Sequence, residues 1–384
     1  MPNRDTGSLR QAPPSPNSKG ISSLDRTSCI QSCHRTPTAV DLFCGCGAVT
    51  AGLKAAGFRV LAAVDNEPIA CETYARNHPE VHLVRRDIQT LAPDELILGA
   101  SPVGIDLLVV CAPCQPFSSQ NRNRKGDARA ALILQTARFA EALRPGYIFF
   151  ENVPGLASAA NSALMAELRS DLEALGYFLG NPVRVDAADY TVPQRRLRCI
   201  MFASRTNALP GLPPPLTPPG NRRTVRDTIG DLEPLESGQA SSADPMHFAR
   251  EHQTVALERM RHIPKDGGSR FSLPPELELP CHRGHKGHPD VYGRMRWDDV
   301  APTLTTGCTD ITRGRFVHPR DDRAITMREA ARLQTFPDDY AFAGSPKNIK
   351  KQIGNAVPVA LATIVGQAVL DVLDSPGLQM ERAV

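Results

Sequence analysis

Short apolar runs of strand length alternate along the first half of the chain with stretches whose apolar residues recur every three or four positions. Thr38-Ala-Val-Asp-Leu-Phe43, residues 60–64, residues 81–84, Asp106-Leu-Leu-Val-Val110 and Tyr147-Ile-Phe-Phe150 have the length and the branched or aromatic content of strands. The run ending at Val110 is apolar at four successive positions, as a strand buried on both faces requires. Between these runs the spacing predicts helices over 48–56, from Pro68 onward, over 132–143 and over 163–175. Gly57 and Gly176 stand where helices end in a left-handed residue, and Pro68 suits a first turn. Two more strands are expected at 183–185 and 197–202. Strand alternating with helix predicts an α/β fold with a mostly parallel, Rossmann-like sheet.

The pattern breaks in two places. Residues 1–36 are rich in Pro, Ser, Asn and Arg and have almost no apolar periodicity, so they bury too little to offset the entropy of ordering and read as a disordered tail. Pro210-Gly-Leu-Pro-Pro-Pro-Leu-Thr-Pro-Pro-Gly220 suits neither a helix nor an inner strand, and marks a boundary. Beyond it the chain is irregular and rich in Gly, Pro, Arg and His, with Pro302-Thr-Leu-Thr305 as a short strand candidate. A helical segment follows at 326–334, and an apolar helix at 360–373 is long enough to return and cover the first domain. The expected organisation is a catalytic domain over 37–208, completed by 345–384, with a smaller loop-rich recognition domain and hinge over 209–344.

Composition bounds the class more than the partner. A chain of 384 residues, 41% of them hydrophobic, can bury a large core. No apolar run approaches the ~20 residues of a membrane span and no apolar signal core opens the chain, so a soluble, cytoplasmic protein is expected. The net charge of +3 is small, but Arg122, Arg124, Lys125 and Arg129 form a local basic cluster. Ten scattered cysteines without a secretion signal favour reduced thiols over disulfides. Cys281, His282, His285 and His288 fit no common zinc spacing, and no metal is expected there.

Candidate chemistry gathers at the carboxyl edge of the predicted sheet. Pro113 and Pro116 stop the central strand and leave Cys114 on a loop where open α/β sheets keep their ligand crevices. A thiol there is either a nucleophile or a bystander; with Cys111 it also has a redox-type Cys-x-x-Cys spacing. Cys44-Gly-Cys-Gly47 makes a strand, glycine turn, helix unit that lets backbone approach a ligand. Asp65, ending the second strand about 20 residues on, is placed for a ribose diol or for a helix cap, and Asp87 reaches the same edge after the third strand. Glu151 closes the 147–150 strand on the same side. Arg196 and Arg198, two apart, point to one face if that stretch is a strand. The basic, glycine-containing stretch 121–129 reads either as a loop that closes over a phosphate-bearing substrate or as a solvated loop.

Asp41-Leu-Phe-Cys-Gly-Cys-Gly47, Pro113-Cys-Gln-Pro-Phe-Ser118, Glu151-Asn-Val153, Gln194-Arg-Arg-Leu-Arg198, Arg328-Glu-Ala-Ala-Arg-Leu-Gln334 and Gly354-Asn-Ala-Val357 stand in the order found in the DNA (cytosine-5) methyltransferases of the prokaryotic restriction-modification type, a family the chain resembles over most of 38–205 and 323–375. Ala48 departs from a usual glycine, and Cys111-Ala112 from a usual glycine pair; no reacting group is lost. The resemblance implies S-adenosylmethionine as methyl donor, with Phe43, Gly45, Gly47, Asp65, Asp87, Asn355 and Val357 lining its pocket. It implies that Cys114 adds to C6 of a flipped-out cytosine, that Glu151 hydrogen-bonds or protonates N3, and that Arg198, supported by Arg196, fixes the base carbonyl and orients Glu151. Ser118, Arg122, Arg124 and Arg129 are then DNA-contacting, and 221–320 supplies groove contacts. The implied partners are double-stranded DNA and a restriction endonuclease acting on the same site, around a monomeric, nucleoid-associated bacterial enzyme. Two alternatives stand beside this: an RNA (tRNA) cytosine-5 methyltransferase, disfavoured because a Cys-Phe-Thr triplet after the arginine motif is missing, and a catalytically silent DNA-binding relative. A nicotinamide dehydrogenase fits poorly, because the turn lacks the Gly-x-Gly-x-x-Gly fingerprint.

Overall fold

Every position of β1 (Thr38–Leu42) and of the wholly apolar β4 (Leu107–Val110) is buried, which leaves no face for water, so these strands pair centrally and are covered from both sides. The computed structural model describes residues 35–96, 104–118, 127–206, 208–284 and 286–375. The expected tail therefore lies outside the described residues, apart from its last two positions. Beside β1 and β4 run β2 (Arg59–Asp65), β3 (His82–Arg85) and β5 (Tyr147–Asn152), all parallel. β8 (Leu197–Ser204) joins antiparallel to β5, and carries the short β6 (Phe178–Leu179) and β7 (Val183–Asp186). The order β3-β2-β1-β4-β5-β8-β6 reverses direction of travel at β1/β4, where such sheets open a crevice beyond the strand ends.

Strand periodicity sorts the core into two layers. Ala39, Leu107, Val109 and Phe149 face one side, against Val49 and Leu53 of α1 (Ala48–Ala56) and Leu361, Val365 and Val369 of α9 (Val359–Leu373). Val40, Leu108, Val110 and Phe150 face the other, against Phe139 and Leu143 of α3 (Thr136–Leu143) and Leu168 and Leu172 of α4 (Ser162–Ala174). The second crossover helix, α2 (Pro68–Asn77), begins at the expected proline.

Several boundaries differ from the sequence reading. The helix expected over 132–143 starts as a 3₁₀ stretch, Ala128–Gln135, and becomes α-helical only at Thr136. Pro302–Thr305 is no strand; the only pairing there is a single bridge between Gln194 and Ala301. The irregular region contains α5 (Val225–Ile229) and α6 (Thr254–His262), and α7 (Met327–Leu333) follows as expected. α8 (Pro346–Asn355) was not foreseen, because only Ile349 and Ile353 give it an apolar face. Together α8 and α9 span Pro346–Leu373, long and apolar enough by composition to cross a membrane, against the expectation that no run comes near that length. That stretch breaks at Ala356–Pro358, and α9 packs its apolar side on α1 and the sheet.

Beyond the sheet, Val225, Ile229, Met295, Leu304, Phe316, Ala331 and Leu333 share a core with Ala48 and Ile353. A further core of Met260, Ile263, Tyr292, Ile311, Val317 and Ala324 lies wholly within the 209–344 stretch. Charged groups build much of that region. Arg323, 1% exposed, forms a fork onto both oxygens of buried Glu329 at 2.8 Å and reaches Asp321, while Arg294 donates to four backbone carbonyls and to Asp322.

Candidate active site

The parallel strands all end at one edge, and the segments leaving them line a cavity of about 470 Å³. β1 delivers Phe43 and the glycine turn, β2 Asp65, β3 Asp87, β4 Cys114 and β5 Glu151, and each of these six positions borders that cavity, counting Gly45 for the turn. Because β8 runs antiparallel to β5, its beginning lies at the carboxyl edge, with Cys199 opposite Asn152 and Ile200 opposite Glu151. Arg198 thereby meets Glu151, Nε to Oε1 at 2.5 Å, and both side chains are about nine-tenths buried. The ion pair fixes Glu151 Oε1 beside the cavity that both residues line.

Cys114 sits half-buried beside this pair, on a loop tied down from β5. Asn152 Nδ2 donates to the Ala112 carbonyl at 3.0 Å, and Gly155 packs so closely on the Phe117 carbonyl that a side chain there would collide with it. Burial pushes the Cys114 thiol above its ordinary value; the Glu151 carboxylate adds to the rise, while Arg198 and Arg196 oppose it. Cys111, deeper in the same cavity wall, is pushed well above its ordinary value by burial and then by Glu151 and Asp41. That arrangement suits an apolar wall better than a redox partner.

Arg196 does not join Arg198 in the way the sequence spacing suggested. It precedes β8 rather than lying in it, is 2% exposed, and its guanidinium donates to the carbonyls of Leu304, Gly354 and Ala356 and to the Gln194 side chain, not to Glu151. The two arginines are thus separated into one at the carboxylate and one behind it.

The glycine turn divides similarly. Gly45, at φ 54°, borders the cavity with nothing within 4 Å of where a side chain would begin. Gly47 does not line the cavity: it caps α1 at φ 91°, and a Cβ would stand 2.6 Å from the His78 ring and 2.8 Å from the Tyr340 hydroxyl. From behind, Tyr340 donates to the Cys46 carbonyl at 2.5 Å, and His78 Nε2 lies 3.1 Å from the Gly47 carbonyl. Phe43, itself at φ 60°, occupies backbone space that is costly for a bulky residue, which is a recurrent feature of ligand sites.

Asp65 turns both oxygens to backbone, accepting from Gly45 N at 2.9 Å and Glu67 N at 2.8 Å, and burial raises its pKa against those bonds. Glu67, two residues on, borders the cavity with a side chain one-third exposed and Lys351 at 4.0 Å. Sequence reading passed over Glu67 and Lys351; the only signal was an acid in the turn before Pro68, which also reads as a helix cap. Asn355 and Val357 both border the cavity. Among the expected DNA contacts, Arg129 borders it too, paired with Asp127 at 2.7 Å, while Ser118 closes the short 3₁₀ turn after Cys114. Arg122 and Arg124 lie outside the described residues, as does His285; His282 and His288 stack at 6.2 Å.

Comparison with known proteins extends this geometry to a family. The C-5 cytosine-specific DNA methylase family matches residues 38–371. The Type II methylase M.HgiDII of Herpetosiphon aurantiacus is 39% identical over 337 residues, covering 86% of this chain and 94% of that protein. The Type II methyltransferase M1.HphI of Haemophilus parahaemolyticus is 33% identical, covering 87% and 86%. Among solved structures, a prophage-encoded DNA modification methyltransferase of E. coli superposes with a TM-score of 0.70 at 24% identity over 88% of this chain and all of that one. The S. pombe Dnmt2 methyltransferase superposes at 0.56 and 20% identity over 88% and 99%. A thiol, a carboxylate and a guanidinium converge on a crevice at the sheet's switch point, and nearly the whole folded chain matches one family: the protein belongs to the C-5 cytosine-specific DNA methylases and is a DNA (cytosine-5) methyltransferase of the Type II restriction-modification kind.

Proposed function

We propose that this enzyme methylates cytosine through a covalent bond from Cys114, using S-adenosylmethionine, within a specific double-stranded DNA sequence. The observation that carries the reading is the Cys114, Glu151 and Arg198 cluster opening into the same cavity as the glycine turn. The cavity suits the donor: it offers Phe43 to an adenine, Asp65, with Glu67 beside it, to a ribose diol, Asp87 to the adenine amine, and acidic groups to a sulfonium charge. Gly45, Asn355 and Val357 complete its wall. Gly47 supports it from behind.

Cytosine C5 is a weak nucleophile until its ring is saturated at C6. Cys114 Sγ forms that bond and turns the ring into an enamine. Glu151, held by Arg198 Nε, hydrogen-bonds N3 where charge develops, and Arg198 directs positive charge at the base carbonyl. S-adenosylmethionine, when bound, supplies an electrophilic methyl group to C5. Loss of the C5 proton to water in the cavity then restores the C5–C6 double bond and expels Cys114 as thiolate. The target atom is shielded within a duplex, so the base is flipped out, and the sequence that follows Cys114, 118–129, is our candidate for closing behind it; its residues 119–126 lie outside the described residues. Residues 209–344 read the sequence; within them Phe271 is 55% exposed next to buried Arg270, and Arg283 and Lys286 are exposed on the adjoining loop. The enzyme works as a cytoplasmic, nucleoid-associated monomer beside an endonuclease of the same specificity.

Base-resolution sequencing of DNA from a methylation-free host expressing the protein tests this. The expected outcome is 5-methylcytosine in one short motif, absent with Cys114→Ser, while that variant still binds S-adenosylmethionine. Methylation by Cys114→Ser would overturn the covalent route.

A further inference from the structure

Three buried side chains, Gln194, Arg196 and Gln334, meet behind the active site, and none takes part in the chemistry derived above. Arg196 Nη1 donates to the Leu304 carbonyl at 2.8 Å and to Gln194 Oε1 at 3.2 Å; Nη2 donates to the carbonyls of Gly354 at 3.0 Å and Ala356 at 2.8 Å. Gln194 Oε1 also accepts from Leu304 N at 2.9 Å, and its Nε2 donates to Gln334 Oε1 at 3.0 Å. Gln334 in turn donates to the Ile353 carbonyl at 2.6 Å and the Ala356 carbonyl at 3.3 Å. Where these segments touch, Gly354 lies so close to the Thr305 backbone that a side chain would collide with it.

Packing alone does not explain an arginine here. No carboxylate pairs with Arg196 among the described residues, and its Nε is buried without a partner. A buried cation of this kind costs stability that apolar residues of similar volume would not, so its use points to what it holds. It holds two separate things. Leu304 belongs to the stretch assigned to DNA reading, and Gly354–Ala356 carries Asn355 and leads to Val357 at the cofactor cavity. Two residues further along, Arg198 grips Glu151.

We propose that Arg196 is a positioning residue that latches the recognition segment at Leu304 to the cofactor-side loop at Gly354–Ala356, so that target DNA and cofactor bind cooperatively. The guanidinium is planar and presents its donors in a fixed fork, so a shift of Leu304 on DNA binding is passed to Gly354 and Ala356 rather than absorbed. A lysine keeps the charge but is a point donor on a flexible stem, and cannot hold these carbonyls in one geometry. By reciprocity, whatever factor cofactor adds to DNA affinity, DNA adds to cofactor affinity. The inference rests on the assignment of the cavity to S-adenosylmethionine and of 209–344 to DNA.

The test measures coupling, not activity. S-adenosylmethionine affinity is titrated by calorimetry, and binding of unmethylated plasmid DNA is measured with and without S-adenosylhomocysteine, for the wild type, Arg196→Lys and Gln334→Leu. The expected result is that S-adenosylhomocysteine tightens DNA binding by the wild type about 5-fold or more. In Arg196→Lys the factor falls below about 2-fold, while each ligand alone still binds. Gln334→Leu, which keeps Arg196 but loses the bonds to Ile353 and Ala356, is expected to fall between. A purely structural role would lower thermal stability and leave the coupling factor unchanged, which would overturn the latch. No coupling in the wild type would overturn it too, as would full coupling in Gln334→Leu should Arg196→Lys fail to fold. Absence of S-adenosylmethionine binding by the wild type is a distinct result that overturns the underlying assignment of the cavity.

Discussion

Burial keeps Cys114 a thiol in the free enzyme, with the Glu151 carboxylate reinforcing that state and Arg198 and Arg196 working against it. A thiol held this way is protected from oxidation, and in the proposed mechanism it reacts as the thiolate that Arg198 and Arg196 favour. The sign of the effect is testable. The thiolate is the reactive form, so alkylation of Cys114 by iodoacetamide, followed on its peptide by mass spectrometry, should be slow at neutral pH and rise with a midpoint above the ordinary thiol value of about 8.5. Glu151→Gln removes a negative neighbour and should move that midpoint down; a midpoint that stays put or rises would contradict the electrostatic account. At the same scale the two arginines, alike in sequence, are physically different residues. Arg198 is paired with a carboxylate, whereas burial, then repulsion from Arg198, pulls Arg196 down to about 9 against the more distant Glu151 carboxylate, and its guanidinium donates to carbonyl oxygens alone.

The glycine turn shows how an element combines a ligand face with a packing face. Gly45 looks into open cavity, whereas Gly47 looks back into His78 and Tyr340, which hold the turn by its carbonyls. Both have positive φ, so an alanine at either is strained by roughly 1–2 kcal/mol. Only Gly47→Ala adds a steric clash, so its urea midpoint should fall clearly further than that of Gly45→Ala. Gly45→Ala should instead raise the KM for S-adenosylmethionine. Equal loss of stability in the two variants would show that the back face is not packed as described. Tyr340 lies almost 300 residues from the turn it supports, so no local pattern could have announced it.

Across the molecule, acid acts mainly on the 209–344 region. Glu329 and Asp321, despite burial, are held down to about 2 by Arg323, His318 and neighbouring donors, while burial holds His318 down to about 4. A depressed carboxylate contributes stability above its unfolded pKa of about 4 and loses it as pH falls toward 2. A depressed histidine stays neutral when folded but gains a proton when unfolded, so it costs stability as pH falls from about 6.5 to 4. His78, also near 4, adds to that limb, and Asp41, pushed up to about 7 by burial, opposes it. The expected outcome is that the melting temperature of wild type falls relative to His318→Gln between about pH 6.5 and 4. A pH-independent difference would mean that His318 is not held neutral.

The sequence by itself determined most of the strands, the order in which their ends bring side chains to one edge, and the candidate reacting groups. Four successive apolar residues before Cys114, glycines after β1 and prolines around the thiol each act through the local chain, and local physics is legible in local sequence. It also carried the family, through motifs in order. What it did not determine depends on residues far apart becoming neighbours. Glu151 lies in a strand rather than after it, and meets Arg198 because β8 runs antiparallel. Gly47 braces the turn from behind, Glu67 joins Asp65 at the cavity, and Arg196 reaches Leu304 and Gly354 across 108 and 158 residues of chain. Hydrogen-bond partners of this kind are chosen by packing, which sums over the whole fold. Spacing along the chain fixes only which side of a strand or helix a residue takes, and the tertiary structure decides what it finds there.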